Sequence, residues 1–398
     1  MIKHSEFVDR LPGYPLARLP GLKRMLIEQG LDVIDLGAGD TDYPPPAVAV
    51  EAMTRGLETT AYSKYGFQQG LPEFRRAASA WMERRFGHHF DAATELLPLI
   101  GSKEGLAHLP FTVINPGDVA IVPEPGYQAY MGGSILSGAT PYVYPLTART
   151  NFLLELEEIP EETLRKAKIV FLNYPNNPTA AIAPMEYLER TVAICRRYDI
   201  LLAYDNAYCD IGFDGYHAPS IFDVEGAREV AVEFFSLSKS FSMTGWRIGW
   251  AAGRAEFIAP LTKVKSYVDT GPFLAIQHAG AAVLDHAETL VKPIVAELEK
   301  RRDAATAALR AAGFPVETPK AAMYLWVELP GDEPSADFTN RALHNEGVLV
   351  LPGSAFGKGG EGYFRIALTV PSERLVEAVQ RLSRVRPALG SESLAATA

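Results

Sequence analysis

The sequence predicts an α/β protein with a large domain, built on a mostly parallel seven-stranded sheet between helices, and a smaller α+β domain. Between about residues 97 and 252, short apolar runs bounded by Gly, Pro or Asn alternate with longer helical stretches. Runs that are apolar on both faces are typical of strands buried in a parallel sheet. After Gly313 the rhythm changes to a second, smaller alternation of strands and helices. A chain of 398 residues has ample core for two or three domains.

The amino-terminal 45 residues are rich in turn signals and contain one predicted short strand at Val33–Leu36. Apolar residues at helical spacing predict a helix at Pro72–Phe86. Helical spacing returns at Lys263–Leu284 and in a long charged stretch at Glu288–Ala311. The seven runs predicted as strands of the large sheet are Leu97–Ile100, Val119–Val122, Pro141–Tyr144, Ile169–Leu172, Leu201–Tyr204, Val230–Phe235 and Ile248–Ala252.

The carboxyl-terminal part predicts strands separated by two helices. We expect an arm and part of the small domain at residues 1–45, the large domain at 46–285 and the small domain at 286–398. The small polar residues Ser391–Ala398 predict a frayed tail. The predicted elements are strands at Val316, Met323–Leu329, Val348–Leu351 and Phe364–Leu368, with helices near Ala336–Glu346 and Ser372–Arg384.

Composition and charge exclude several classes of protein. The net charge of −10 disfavours binding to nucleic acid or to anionic membranes, which both need a basic surface. Two cysteines, Cys195 and Cys209, cannot build a disulfide framework or a four-cysteine zinc site, which favours a reducing compartment. No apolar run approaches the roughly 18 residues of a membrane span, and the amino terminus lacks a signal-peptide core. We therefore expect a cytoplasmic protein.

Several familiar motifs are absent or misplaced. Gly357–Gly362 satisfies the letters of a dinucleotide fingerprint, but it leads into a strand instead of opening a helix, so we expect a flexible loop. The chain has no phosphate-binding P-loop, no H-E-x-x-H and no G-x-S-x-G. Its eight histidines show no ligand spacing, so no metal site is predicted.

A turn of small residues, Gly101–Gly105, follows one predicted strand and precedes an apolar helix. Free N–H groups at a helix start suit a phosphate. The alternative is that the serine only caps the amino terminus of the helix and binds no ligand.

The segment Ser236-Leu237-Ser238-Lys239 directly follows another predicted strand. A lysine placed there, among small hydroxyl residues, is a candidate for a partly desolvated amine that attacks carbonyl carbons. Arg247, eight residues later, could clamp a phosphate. The alternatives are a surface lysine and arginine, or an S-x-x-K acyl-enzyme with Tyr174-Pro175-Asn176 as its partner motif, although no K-[ST]-G follows.

Polar side chains also follow two further strands. Asn173–Thr179 comes after one strand, and Asp205 ends the next, with Tyr208 three residues later. The carboxyl ends of strands line the ligand crevice in open α/β sheets. A carboxylate there could keep a pyridine nitrogen protonated, and a phenol could bind a ring oxygen, although amides after a strand also build simple turns.

Taken together and in this order, these motifs resemble the fold-type I, class I/II aminotransferases that use pyridoxal 5′-phosphate (PLP). The resemblance covers about residues 15–385 and rests on N-Y-P-N-N-P-T, D-N-A-Y, S-L-S-K-S followed by G-W-R-I-G, and F-R-I-A-L near the end. It implies the PLP transferase fold of type I. PLP performs the electronic work in such enzymes, and the protein tunes it.

The resemblance implies a role for each motif around the cofactor. Lys239 would bind PLP covalently, be displaced by substrate and then move the substrate proton. Asp205 would keep the pyridine nitrogen protonated, Tyr208 and Asn177 would bind the ring oxygen, and Tyr127 would stack on the ring. The implied phosphate-binding residues are Ser102, Lys103, Ser236, Ser238 and Arg247.

The resemblance also implies how substrate and partner are held. Arg365 would pair with the substrate α-carboxylate, helped by Asn177 and the backbone of Gly39. Tyr65 matches the tyrosine that reaches the phosphate in the partner subunit, which implies a homodimer. The expected substrates are an L-amino acid and a 2-oxo acid in a ping-pong reaction.

The sequence departs from the family pattern at two places. Ala180 replaces a turn glycine, for which we expect little effect. No basic residue lies between Ser266 and Gln277, where aspartate-specific members carry a substrate-binding arginine, so strict aspartate specificity is not expected. The sequence resembles two branches of the family, the alanine (glutamate–pyruvate) aminotransferases and the LL-diaminopimelate and N-succinyl-diaminopimelate aminotransferases. It does not distinguish between these two branches. A PLP-dependent β-lyase, a non-catalytic module of the same fold and the S-x-x-K acyl-enzyme are the alternatives.

Overall fold

The computed structural model describes residues 3–13 and 19–387. The predicted tail at 391–398 lies outside the described residues, as does part of the predicted arm at residues 1–2 and 14–18. Within the described parts, no helix is long and apolar enough to cross a lipid bilayer.

A seven-stranded sheet forms the centre of the larger part, which confirms the predicted fold class. The strand order is β2-β8-β7-β6-β5-β3-β4, and β8 alone runs antiparallel to its two neighbours. The other pairs are parallel. The strands are β2 (Leu96–Leu99), β3 (Val119–Glu124), β4 (Thr140–Pro145), β5 (Ala167–Asn173), β6 (Leu201–Asp205), β7 (Ala231–Ser236) and β8 (Gly249–Gly253).

Successive side chains of each strand enter different cores, because side chains alternate across a sheet. On β5, Ile169 and Phe171 pack into one apolar cluster, while Val170 and Leu172 pack into another on the opposite face. Both faces of the sheet are therefore covered by helices, as the continuous apolar runs predict. The helices of this part are α3 (Ala47–Leu57), α4 (Pro72–Phe86), α5 (Ser102–His108), α6 (Gln128–Leu136), α7 (Glu161–Lys166), α8 (Met185–Tyr198), α9 (Leu237–Ser240), α10 (Ala255–Lys265) and α11 (Leu274–Asp285).

A second, antiparallel sheet of order β11-β12-β9 has its own apolar core. The amino-terminal segment joins this region, because β1 pairs in parallel with β10. The division at residues 45 and 285 stays a prediction. The remaining elements are α1 (Glu6–Arg10), α2 (Leu19–Glu28), β1 (Ile34–Asp35), α12 (Ala287–Ala311), β9 (Tyr324–Glu328), α13 (Ser335–Glu346), β10 (Val348–Leu349), β11 (Leu351–Pro352), β12 (Tyr363–Ala367) and α14 (Ser372–Arg384).

Three sequence predictions of elements are wrong in detail. The segment Lys263–Leu284 was predicted as one helix, but it contains the end of α10 and all of α11. Gly271-Pro272 lies between the two helices and breaks the helical run. Val316 forms a single bridge to Val327 instead of a strand. The run Val348–Leu351 is divided between β10, which pairs with β1, and β11, which pairs with β12. Apolar spacing alone does not reveal where a strand changes partner.

Candidate active site

A cavity of about 220 Å³ lies at the carboxyl ends of β5, β6 and β7 and reaches the second sheet. Parallel strands place their carboxyl ends at one edge, so motifs far apart in sequence meet there. Tyr65 is the one predicted site residue that does not line the cavity, and its side chain is 72% exposed. The predicted residues that do line it are Gly39, Ser102, Lys103, Tyr127, Asn177, Asp205, Tyr208, Ser236, Ser238, Lys239, Arg247 and Arg365.

Lys239 is carried into the cavity by the short helix α9, which follows β7 without a loop. The Ser236 side chain accepts a hydrogen bond from the Ser238 N–H (3.2 Å) and begins this helix. The Lys239 amine donates a 2.6 Å hydrogen bond to the carbonyl of Gly39. The amine therefore lies between the large sheet and the amino-terminal segment.

Asp205 is buried at the end of β6, and its two carboxylate oxygens differ. Oδ2 accepts a 2.7 Å hydrogen bond from the Tyr130 hydroxyl, whereas Oδ1 is buried without a hydrogen-bond partner among the described residues. Burial raises the pKa of Asp205 to about 6, although the hydrogen bond from Tyr130 and the nearby Ala207 N–H act against that rise. A buried acceptor without a donor is costly, so this oxygen fits a ligand that brings one.

Arg247 lies against the turn at the start of α5. Its guanidinium donates to the carbonyls of Thr244 (3.0 Å) and Ile100 (3.3 Å). A Cβ at Gly101, where φ is +69°, would come within 2.3 Å of this guanidinium. Glycine is therefore required here both for the backbone and for the close approach of the arginine.

Arg365, on β12, is buried between two aromatic rings. Its guanidinium carbon lies 4.1 Å from the ring centre of Tyr324 and 4.8 Å from that of Phe356. Its Nη1 donates to Asn177 Oδ1 and its Nη2 to the carbonyl of Gly37, both at 2.6 Å. Burial lowers the pKa of Arg365 below its ordinary value.

Sequence reasoning missed several residues of the cavity. Tyr324 is the most prominent, since its hydroxyl lies 3.0 Å from that of Tyr208, yet in the sequence it is one more aromatic residue of an apolar strand. Tyr130 of α6 does not line the cavity, but its hydroxyl binds Asp205, which does, and no helix was predicted in this segment. Asn173 was named only as the start of the candidate segment Asn173–Thr179. The other lining residues missed are Asp40, Gln128, Ala207, Thr244, Ala355 and Phe356.

One group of side chains outside the cavity has the composition of a metal site. The ligand atoms of Glu104, His108 and Asp269 lie within 4.8 Å of one another. The buried amine of Lys265 stands among them, 2.7 Å from Glu104 and 3.0 Å from Asp269. A lysine amine at this position supplies the positive charge, so the group is an ion-pair cluster.

The family model for class I and II aminotransferases matches residues 31–382. The chain is a class I and II aminotransferase. The LL-diaminopimelate aminotransferase of Desulforudis audaxviator is 45% identical to it over 375 residues, which span 94% of this chain and 96% of that protein. The protein of the same name from Aquifex aeolicus is 45% identical over 384 residues, 96% of this chain and 99% of that one.

Solved structures of similar proteins agree with the assignment of this chain to the aminotransferase family. BacF from Bacillus subtilis, in a substrate-bound structure, superposes with a TM-score of 0.94 at 32% identity, covering 98% of this chain and 100% of that one. A probable N-succinyldiaminopimelate aminotransferase from Thermus thermophilus superposes with a TM-score of 0.87 at 35% identity, covering 92% and 98%. Membership of this family leaves the acyl-enzyme alternative at Ser236 and Lys239 without support.

Proposed function

We propose that this aminotransferase binds PLP at Lys239 and transfers the amino group of LL-diaminopimelate to a 2-oxo acid by a ping-pong reaction. The unpaired Oδ1 of Asp205 carries the cofactor part of the proposal. A protonated pyridine nitrogen brings the donor and the positive charge that this buried oxygen lacks.

The proposed phosphate subsite is formed by groups that converge from two segments. Arg247 supplies a fixed positive charge beside the turn at Gly101, and hydroxyl groups surround it. Guanidinium groups bind phosphate through paired N–H donors, which makes this a suitable anchor. The hydroxyl and backbone groups assigned to the same phosphate are those of Ser102, Lys103, Ser236 and Ser238.

When bound, PLP supplies an electron sink for the negative charge that develops on the substrate Cα. Lys239, held at the Gly39 carbonyl, is the group that moves the proton. Arg365 fixes the substrate α-carboxylate and thereby orients the Cα–H bond, with Asn177 and the Gly39 backbone beside it. Tyr208 and Asn177 would bind the ring oxygen of the cofactor, and Tyr127 would stack on its ring.

The choice of LL-diaminopimelate rests on the names of the curated relatives, which are 41–45% identical to this chain. The lack of a basic residue between Ser266 and Gln277 argues only against strict specificity for aspartate. N-succinyl-diaminopimelate is the second candidate, because a structural neighbour at 35% identity has that name.

An absorption spectrum of the purified protein, titrated with amino donors, tests the proposal. The expected result is a visible band that disappears most rapidly with LL-diaminopimelate, and more slowly with N-succinyl-LL-diaminopimelate, alanine, glutamate or aspartate. If the visible band disappears faster with alanine or glutamate, the assignment of LL-diaminopimelate as the donor is wrong. Release of pyruvate together with ammonia from an added donor that carries a leaving group on Cβ, without amino transfer, would favour the β-lyase. The absence of a band after addition of PLP would contradict the cofactor assignment.

Lys239→Ala is expected to abolish the visible band and nearly all transfer, since the covalent attachment and the proton carrier are lost together. Lys166→Ala, at the exposed end of α7, is the matched control and should keep both. Transfer at the rate of the control in Lys239→Ala would disprove the role of Lys239.

Arg365→Lys is expected to raise KM for the amino donor by roughly ten- to a hundredfold, because one charged, paired hydrogen bond contributes about 1.5–3 kcal/mol. The visible band should remain, since the residue is assigned to substrate alone. Arg374→Lys, on the exposed face of α14, is the control. An unchanged KM for every donor in the panel would move the carboxylate site elsewhere.

A further inference from the structure

Tyr324 lies where the cofactor and substrate subsites meet. It is the first residue of β9, is only 2% exposed, and lines the cavity. Its hydroxyl is 3.0 Å from the hydroxyl of Tyr208, and its ring lies against the guanidinium of Arg365 at 4.1 Å. One side chain thus contacts the residue assigned to the ring oxygen and the residue assigned to the substrate carboxylate.

The backbone at Gly39 defines what else the Tyr324 hydroxyl faces. A Cβ built on Gly39 would lie 2.5 Å from the Tyr324 oxygen and 3.1 Å from the Lys239 amine. The phenol oxygen and the amine therefore face the same small gap beside Gly39. Two cationic groups, Lys239 and Arg365, act on this one phenol.

The neighbours of the two tyrosines act differently on their hydroxyl groups. Burial raises the pKa of Tyr324, but the charges of Lys239 and Arg365 and the contact with Tyr208 outweigh burial, so that the net pKa is below its ordinary value. Burial raises the pKa of Tyr208 well above its ordinary value. The two hydroxyl oxygens are 3.0 Å apart, and either could donate to the other. Because the proposed function directs the hydrogen of Tyr208 to the ring oxygen, Tyr324 is the donor of the pair. Each hydroxyl has one hydrogen, so donation by Tyr324 leaves the hydrogen of Tyr208 for another acceptor.

Building on the proposed function, we propose that Tyr324 is a positioning residue that donates to Tyr208 and so directs the hydrogen of Tyr208 to the ring oxygen of the cofactor. Its ring at the same time supports Arg365 from one side. A donor that itself accepts a hydrogen bond becomes a stronger donor, because chains of hydrogen bonds polarise one another. Tyr324 would therefore tune the cofactor through Tyr208.

Tyr324→Phe tests the hydroxyl alone, since the ring beneath Arg365 is kept. The hydrogen bond of Tyr208 withdraws charge from the ring oxygen, so weakening it should raise the pH midpoint of the visible band by roughly half a unit to one unit. KM for the amino donor should stay unchanged. Tyr324→Leu, which also removes the ring, should raise KM severalfold because the stacking on Arg365 is lost.

Two further measurements separate this role from a general structural one. Tyr208→Phe should raise the midpoint in the same direction, and the double variant Tyr208→Phe/Tyr324→Phe should add little to it, since Tyr324 acts through Tyr208. In the cofactor-free protein, ultraviolet titration should detect one early-ionising phenol that Tyr324→Phe lacks. Tyr363→Phe, on the adjacent strand and stacked on Trp326, is the control that should move neither readout.

An unmoved midpoint in Tyr324→Phe, with a shifted one in Tyr208→Phe, would overturn the proposal while leaving the proposed function intact. Equal and additive shifts from the two variants would overturn it as well. A wild-type protein without a visible band would instead contradict the proposed function itself.

Discussion

Glu233 is fully buried on β7, in register with Tyr204, the residue before Asp205 on β6. It contacts the Ser220 hydroxyl at 2.5 Å and accepts a 2.7 Å hydrogen bond from the Asn206 amide. Burial raises its pKa from 4.5 to about 8, against the hydrogen bonds of Ser220 and Asn206. The folded protein therefore keeps this proton over a pH range in which the unfolded chain has lost it.

Protein stability should consequently fall as the pH rises from about 4.5 through 8, because the unfolded chain releases the proton first. Glu233→Gln has the same shape, can donate to Ser220 and accept from Asn206, and carries no proton to lose. We expect its unfolding temperature relative to the wild type to increase between pH 6 and pH 9. The exposed Glu162→Gln is the control. Parallel pH curves for wild type and Glu233→Gln would contradict the raised pKa of Glu233.

Some residues of the site can be predicted from the sequence, and others cannot. Lys239, Asp205 and Asn177 follow apolar strands directly, and the geometry of a parallel sheet brings such positions together. Tyr324 gives no such signal, because a buried aromatic residue in a strand is more often core. Its function depends on a contact between two sheets, which pattern and spacing along one segment do not encode.

At the level of elements, the ion-pair cluster around Lys265 fastens α5 to the turn that follows α10. The Lys265 amine is fully buried and pairs with Glu104 of α5 and Asp269 of the turn. Burial acts to raise the pKa of Glu104, but His108 and Lys265 outweigh it, and the pKa lies below its ordinary value. This cluster stabilises the segment between α10 and α11, where helical spacing alone did not predict a break.

Lys265→Met is expected to lower the free energy of unfolding by about 3–5 kcal/mol, because two carboxylates lose their common partner in a buried setting. The measurement is denaturant unfolding of the variant beside Lys263→Met, an exposed lysine on the same helix. Equal stability of the two variants would mean that Glu104 and Asp269 find other partners or protons at little cost.

At the level of the whole molecule, an exposed aromatic surface is the feature that the single chain leaves without explanation. Tyr65 and Phe67 contact each other, and the Gln68 N–H donates to the Thr270 carbonyl, which places the segment after α10 beside them. Contiguous exposed apolar surfaces of this kind mark interfaces. The homodimer that the family resemblance implies would cover exposed residues of these two segments, which are Tyr65, Phe67, Tyr267, Val268 and Phe273.

Mixing two inactive variants tests whether Tyr65 serves the partner subunit. Lys239→Ala and Tyr65→Ala chains should each form dimers of low activity. In a hybrid dimer, the site that keeps Lys239 receives Tyr65 from the other chain and is intact, so activity should return after unfolding and refolding together. Activity no higher than the sum of the separate variants would contradict sharing of Tyr65.

The hydrogen bond from Arg365 to the Gly37 carbonyl has a consequence for how the chain can be shortened or fused. Gly37 follows β1, and a Cβ there would lie 2.1 Å from the side chain of Leu349 on β10. This peptide is therefore packed tightly against β10. A fusion partner attached before residue 19 leaves that contact in place. A deletion that reaches Gly37 removes one of the two oxygens that aim the guanidinium, and substrate recognition is lost at a position 328 residues away in the chain.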